Sequence, residues 1–174
     1  MKLVLVTGGI ASGKSAVCSR LRALGCPVYD CDSRCKALYT SVPGLKEEVE
    51  KVTGLPFGRL REVFSRPEAL NSLENLVYPL LLEDLRGWKE SLGEGTLVAF
   101  VESAVALSKP SFDGVFDSVV TVIAPVRERL RRNPLVADRA VLQKFDLLRA
   151  DYIIENNSTL EALEDEVDKY LKTL

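Results

Sequence analysis

The sequence predicts an α/β fold in which a parallel sheet of about five strands is wound on both sides by helices. Three observations carry that prediction. Short β-rich apolar runs alternate with segments of helical spacing. Several of those runs are apolar at every position, as in strands buried on both faces. The first run leads through a glycine-rich loop straight into a helix, the arrangement of a P-loop NTPase-type sheet.

Taken in order, Leu3–Thr7 is a short apolar run that ends in Gly8-Gly9 and reads as a buried strand. Ser15 to Leu24 carries Val17, Leu21 and Leu24 at helical spacing and is stopped by Gly25 and Pro27. Val28–Tyr29, ending in Asp30, is a second short strand. From Ser33 to about Trp88 the pattern is helical, broken at Pro43-Gly44, Gly54-Leu55-Pro56 and Pro67. That stretch is too long for a simple crossover, so residues 33–92 are expected to form a helical insertion beside the carboxyl ends of the strands. Leu97–Val101 and Ser118–Ile123 are the next strands. Arg127–Arg132 begins a helix that Pro134 breaks, and Tyr152–Ile154 is the last strand. Ser158–Leu171 reads as an amphipathic helix capped by Ser158 or Thr159, with Glu161 in its first turn.

The 174 residues suit a single domain, and 47% apolar with 28% charged residues suits a globular one. A net charge of -2 argues against nucleic acid as a partner, since such binders carry a basic excess. No apolar run approaches the ~20 residues of a membrane helix, and Leu3–Val6 is too short for a secretory signal. A cytoplasmic location is therefore expected, with Cys18, Cys26, Cys31 and Cys35 as buried reduced thiols. The four lack a C-x-x-C pair, and no histidine is present to complete a mixed zinc site. Without histidine, a general base near neutral pH is a carboxylate, or else a lysine, tyrosine or cysteine of shifted pKa.

Gly8-Gly9-Ile10-Ala11-Ser12-Gly13-Lys14-Ser15 satisfies G-x-x-x-x-G-K-[ST] between a predicted strand and a predicted helix. Such a loop turns successive N–H groups toward an anion at a helix N-terminus. Lys14 then reaches the β- and γ-phosphates of ATP, Ser15 offers its hydroxyl to Mg²⁺, and Ala11–Ala16 form the nucleotide cradle. Asp30-Cys31-Asp32 follows the second strand. Either one carboxylate serves an acceptor hydroxyl while the other holds Mg²⁺ water or caps the next helix, or both are turn and cap residues. Glu102, at the end of the third strand, is either an outer group of a metal or acceptor site or a salt-bridged cap. Between Arg127 and Arg149 stand seven basic side chains against three acidic ones. One or two of these arginines are expected to clamp the transferring phosphoryl group, and the rest to lie on a solvated face with Glu128–Arg132 as an i,i+4 pair.

Together these residues resemble the dephospho-CoA kinase family over nearly the whole chain. Thr7–Ser15 is close to its T-G-G-I-x-S-G-K-S, and Val28–Asp32 to its apolar-apolar-D-x-D. Arg59–Leu70 is similar to its L-R-x-x-V-F-x-x-P-E-A-L stretch, Leu97–Glu102 to its V-P-L-L-x-E strand, and Ala150–Asn157 to its A-D-Y-V-I-x-N ending. The resemblance implies phosphorylation of the 3′-hydroxyl of dephospho-CoA by ATP, with Asp32 as base. It also implies residues 33–92 as the acceptor-binding part, residues 127–149 as the lid, and Asn156 beside the adenine. Two features depart from the pattern. Tyr78-Pro79 stands where the family has His-Pro. The lid keeps an R-x-x-x-Q spacing in Arg139 and Gln143, but each flank is shorter by on the order of 3–4 residues, one helical turn. Arg139 is accordingly the expected catalytic lid arginine, over a lid that closes less completely on ATP. The competing expectations are another small-molecule P-loop kinase and a module that binds ATP without catalysis.

Overall fold

The computed structural model describes residues 1–134, 136 and 149–174. Along the chain run β1 (Lys2–Gly8), α1 (Lys14–Ala23), β2 (Val28–Asp30), α2 (Cys31–Ser41), α3 (Leu45–Thr53), a 3₁₀ segment (Phe57–Ser65) and α4 (Pro67–Ser91). They are followed by β3 (Val98–Glu102), two 3₁₀ turns (Ala106–Ser108, Pro110–Phe112), β4 (Ser118–Ile123), α5 (Val126–Arg132), β5 (Tyr152–Glu155) and α6 (Leu160–Leu171). Two compact units result: Met1–Asp30 with Leu92–Leu174, and Cys31–Ser91. Among the described residues no helix is long and apolar enough to cross a membrane.

The first unit holds a parallel five-stranded sheet in the order β2-β3-β1-β4-β5. β1 is central because its run is apolar on both faces; Leu3, Val4, Leu5 and Val6 are all at most 2% exposed. Val4 and Val6 join Phe100, Val120, Val122 and Ile154 in one core with Val17 and Leu21 of α1 and Leu163 and Val167 of α6. Each such buried aliphatic side chain stabilises the fold by about 1.5–3 kcal/mol. α6 starts at Leu160, two residues later than the pattern suggests, because Thr159 is the cap: its Oγ1 accepts from the Ala162 amide at 3.3 Å.

Two aspartates fix how strands enter the sheet. Asp117 accepts the Leu3 amide at 2.7 Å, and Asp151 accepts the Val119 amide at 2.8 Å. Each stands just before its own strand and satisfies a donor of the neighbouring one, so both buried strand starts are hydrogen-bonded. Because β3 and β4 flank β1 on opposite sides, the chain leaves β1 at a topological switch point, where ligands bind in open α/β sheets.

The second unit is built from α2, α3, α4 and the 3₁₀ segment. The expected breaks at Pro43-Gly44 and Gly54-Leu55-Pro56 fall between elements, whereas Pro67 opens α4, a position where its missing N–H is harmless. Pro79 sits inside that 25-residue helix without ending it. Leu38, Leu45, Val49, Val63, Val77, Leu81 and Leu85 form the interior. Arg34 forks onto Asp84, Nε donating to Oδ2 at 2.7 Å and Nη2 to Oδ1, which ties α2 to α4.

Candidate active site

The carboxyl edge of the sheet collects the chemistry. In register, Gly8 lies opposite Val122, while Glu102 lies opposite Val6 on one side and Asp30 on the other. Beyond β5, the amide of Asn156 donates to the Ile123 carbonyl at 2.8 Å, which brings Asn156 to the same edge.

The loop from Gly8 to Ser15 is shaped by backbone requirements. Gly8 cannot carry a side chain, since a Cβ there would collide with the Val122 carbonyl. Gly13 caps α1 with φ 107, a left-handed conformation that favours glycine, and a Cβ there would strike the Asn156 amide. Ala11 also has a positive φ, 59°, a strain of the kind stored at functional sites. The amides of Ala16 and Val17 donate back to the Gly13 carbonyl at 3.0 and 3.1 Å, so α1 opens its N-terminus, with its partial positive charge, onto the loop.

Side chains then brace this loop. Asn156, 6% exposed, donates its side-chain amide to the Ser12 carbonyl at 2.8 Å. From α5, Arg129 Nε donates to the Ile10 carbonyl at 2.9 Å. One turn on, Arg132 donates to the Ala11 carbonyl at 3.3 Å and to Asn156 Oδ1 at 3.3 Å. Lys14 is half-buried, with its ammonium 3.5 Å from the Gly9 carbonyl. Ser15 is exposed and donates its hydroxyl proton to Glu102 Oε1 at 2.8 Å. Glu102 is thus the hydrogen-bond partner of the residue expected to face Mg²⁺. The buried hydroxyl of Ser12 has no partner among the described residues.

The bracing role of Asn156 gives an expected result. Asn156→Ala leaves the buried Ser12 carbonyl without its donor, a loss of about 1–3 kcal/mol. Urea unfolding without nucleotide should show that loss together with weaker ATP binding. A variant as stable as the parent would reduce Asn156 to a ligand contact.

The arginine expectations need correction. Glu128 pairs with Arg131 at 3.0 Å, not with Arg132, so Arg131 is the exposed surface partner and Arg132 faces the loop. Arg149 is spent on the Leu107 carbonyl at 2.8 Å. Arg139 and Gln143 lie outside the described residues. Arg129 had no signal of its own in sequence; only its i,i+3 spacing to Arg132, on the face away from Glu128, sets the two apart. The thiols also differ from expectation: all four are free, but Cys26 and Cys35 are only partly buried.

Within the second unit, Asp32 is exposed in the first turn of α2. Tyr78 is half-buried and donates its hydroxyl to Glu74 Oε1 at 3.1 Å. Burial first, then the Glu74 charge, pushes its ionisation well above the usual phenol range. Where a histidine would titrate near neutrality, this side chain stays a neutral donor. Phe64, in the 3₁₀ segment, is 67% exposed, unusual for so large an apolar side chain.

Comparison with known proteins gives a consistent result. The dephospho-CoA kinase family model matches residues 2–162. A dephospho-CoA kinase of Chlorobium luteolum is 30% identical, with 99% of this chain and 90% of the relative covered. Their alignment runs over 198 positions against 174 residues here, so the relative carries segments that this chain lacks. A dephospho-CoA kinase of Thermus thermophilus is 35% identical over 93% of this chain and 86% of its own length. Among solved structures, one from Thermus thermophilus superposes with TM-score 0.78 at 29% identity, covering 99% of this chain and 97% of that one. The shikimate kinase of Acinetobacter baumannii, at TM-score 0.54 and 17% identity over 99% of this chain and 92% of its own, shares the fold.

Proposed function

The chain belongs to the dephospho-CoA kinase family, and from that membership we propose that it transfers the γ-phosphoryl group of ATP to the 3′-hydroxyl of dephospho-CoA, releasing coenzyme A and ADP. The observation that carries this reading is the braced P-loop at the carboxyl edge of the sheet, with Ser15 bonded to Glu102 and two arginines turned onto the loop. We place the reaction in the cytoplasm, where the four free thiols stay reduced.

The amides of the loop and the start of α1 bind the phosphates, and Lys14 neutralises charge on the β- and γ-groups. Ser15 keeps its proton on Glu102 and so presents lone pairs, which fits a hard cation shared with nucleotide phosphates. Ser15, with Glu102 behind it, would hold Mg²⁺, which would supply positive charge against the charge that develops on the phosphates. Asp32 orients the 3′-hydroxyl and takes its proton as the oxygen bonds to the γ-phosphorus and the bond to ADP breaks. Little proton removal is asked of it early, because the transition state is loose.

Arg129 holds the Ile10 carbonyl, and Arg132 the Ala11 carbonyl and the Asn156 side chain; each guanidinium can exchange these partners for phosphate oxygens. Arg139 is the further candidate for the transferring group. The unit Cys31–Ser91 takes the acceptor, with exposed Phe64 and the neutral Tyr78–Glu74 pair as contacts. The lid over residues 127–149 is taken to be the shortened one that the sequence suggests.

The test is ADP release from ATP alone and from ATP with dephospho-CoA, with the product's phosphate position identified. A short lid predicts a slow background hydrolysis and a much faster, acceptor-dependent rate. Equal rates with and without dephospho-CoA would overturn the assignment.

A further inference from the structure

Among the described residues Ala11 alone has a positive φ without being a glycine. Such a conformation costs free energy and persists only where its surroundings over-determine it. Both peptide planes that flank Ala11 are held from α5. Arg129 Nε donates to the Ile10 carbonyl at 2.9 Å, and Arg132 Nη1 to the Ala11 carbonyl at 3.3 Å. The plane after Ala11 is held a second time within the loop, where the Ser12 amide donates to the Gly9 carbonyl at 3.0 Å.

A trans peptide sets its C=O and its N–H on opposite sides. With the Ile10 carbonyl turned onto Arg129, the Ala11 N–H points the other way, and it has no acceptor among the described residues. A left-handed residue among turned amides is how a backbone anion nest is built. Arg129 also has a seat made for it. Gly9 lacks a positive φ, so its backbone alone does not call for glycine, yet a Cβ there would collide with the Arg129 guanidinium. Nε is the atom on Ile10, so the Nη end of the fork can turn to a phosphate without releasing that carbonyl. We propose that Arg129 is a positioning residue for nucleotide binding: through the Ile10 carbonyl it holds the Ala11 amide toward the phosphates. The proposal rests on the loop binding nucleotide, and it gives the arginine a task that its charge does not perform.

Two neutral substitutions separate that task from the charge. Glutamine Nε2 stands as many bonds from the backbone as arginine Nε, so Arg129→Gln keeps an N–H for Ile10. Arg129→Met is as long and carries no donor. ADP affinity is measured by calorimetry on the full chain, and the Ala11 amide proton is followed by NMR as ADP is added. Arg129→Met should bind ADP about 3- to 10-fold more weakly than Arg129→Gln, the share of one neutral hydrogen bond. Its Ala11 proton should move less on ADP addition, whereas that of Arg129→Gln should move as in the parent. Arg129 is only half-buried, so both variants should unfold cooperatively; if Arg129→Met does not, Arg129→Leu takes its place. Equal ADP affinity in Arg129→Met and Arg129→Gln overturns the proposal and leaves Arg129 its charge alone. Unequal affinities with an Ala11 proton that moves alike in both overturn it as well. A parent protein that binds no ADP fails the phosphate-loop reading itself, and the proposal with it.

Discussion

Lys14→Ala is expected to lower kinase turnover by about 10²–10³-fold, the loss typical of removing one group that meets charge developing in the transition state. Its ammonium lies 3.5 Å from the Gly9 carbonyl, the outer limit of a hydrogen bond. The variant should still unfold cooperatively, since Lys14 is only half-buried and no part of the core. Steady-state kinetics with thermal unfolding on the same preparation check both halves. Near-parental turnover in a folded Lys14→Ala protein would remove the P-loop from the mechanism.

Asp32→Asn is the second large effect. Asparagine nearly preserves shape but neither accepts the hydroxyl proton nor carries the charge, so kcat should fall by about 10²–10⁴-fold. ATP affinity should hardly move, the signature of an interaction made chiefly in the transition state. Exposure in the first turn of α2 means the substitution strands no buried partner. Asp30→Asn is the informative contrast: Asp30 ends β2 in register with Glu102 and is half-buried. Measuring kcat and ATP Kd for both variants assigns the pair, and an active Asp32→Asn beside a crippled Asp30→Asn would reverse the roles.

What the sequence determined by itself was everything decided within a few residues. Leu3–Val6 had to be a buried strand because no one-sided element absorbs four consecutive apolar side chains. Gly8, Gly13 and Lys14 had to form a phosphate loop because few other backbones need those glycines at that spacing. The strands were placed to within a residue or so at each end, and the breaks in the helical stretch came from Pro43-Gly44 and Gly54. Those are local preferences of dihedral angle and burial, written where they act. Tertiary structure decided the partners. Asn156 meets Ser12 across 144 residues, Arg129 meets Ile10 across 119, and Glu102 meets Ser15 across 87. No periodicity carries information over such separations; only the strand order, which sets β3 and β4 on either side of β1, brings those groups together. For the same reason Arg131 and Arg132 looked alike in sequence. One turn of α5 in place sends Arg131 to Glu128 and Arg132 to the loop, because a helix converts adjacent positions into different faces only once it has something to pack against.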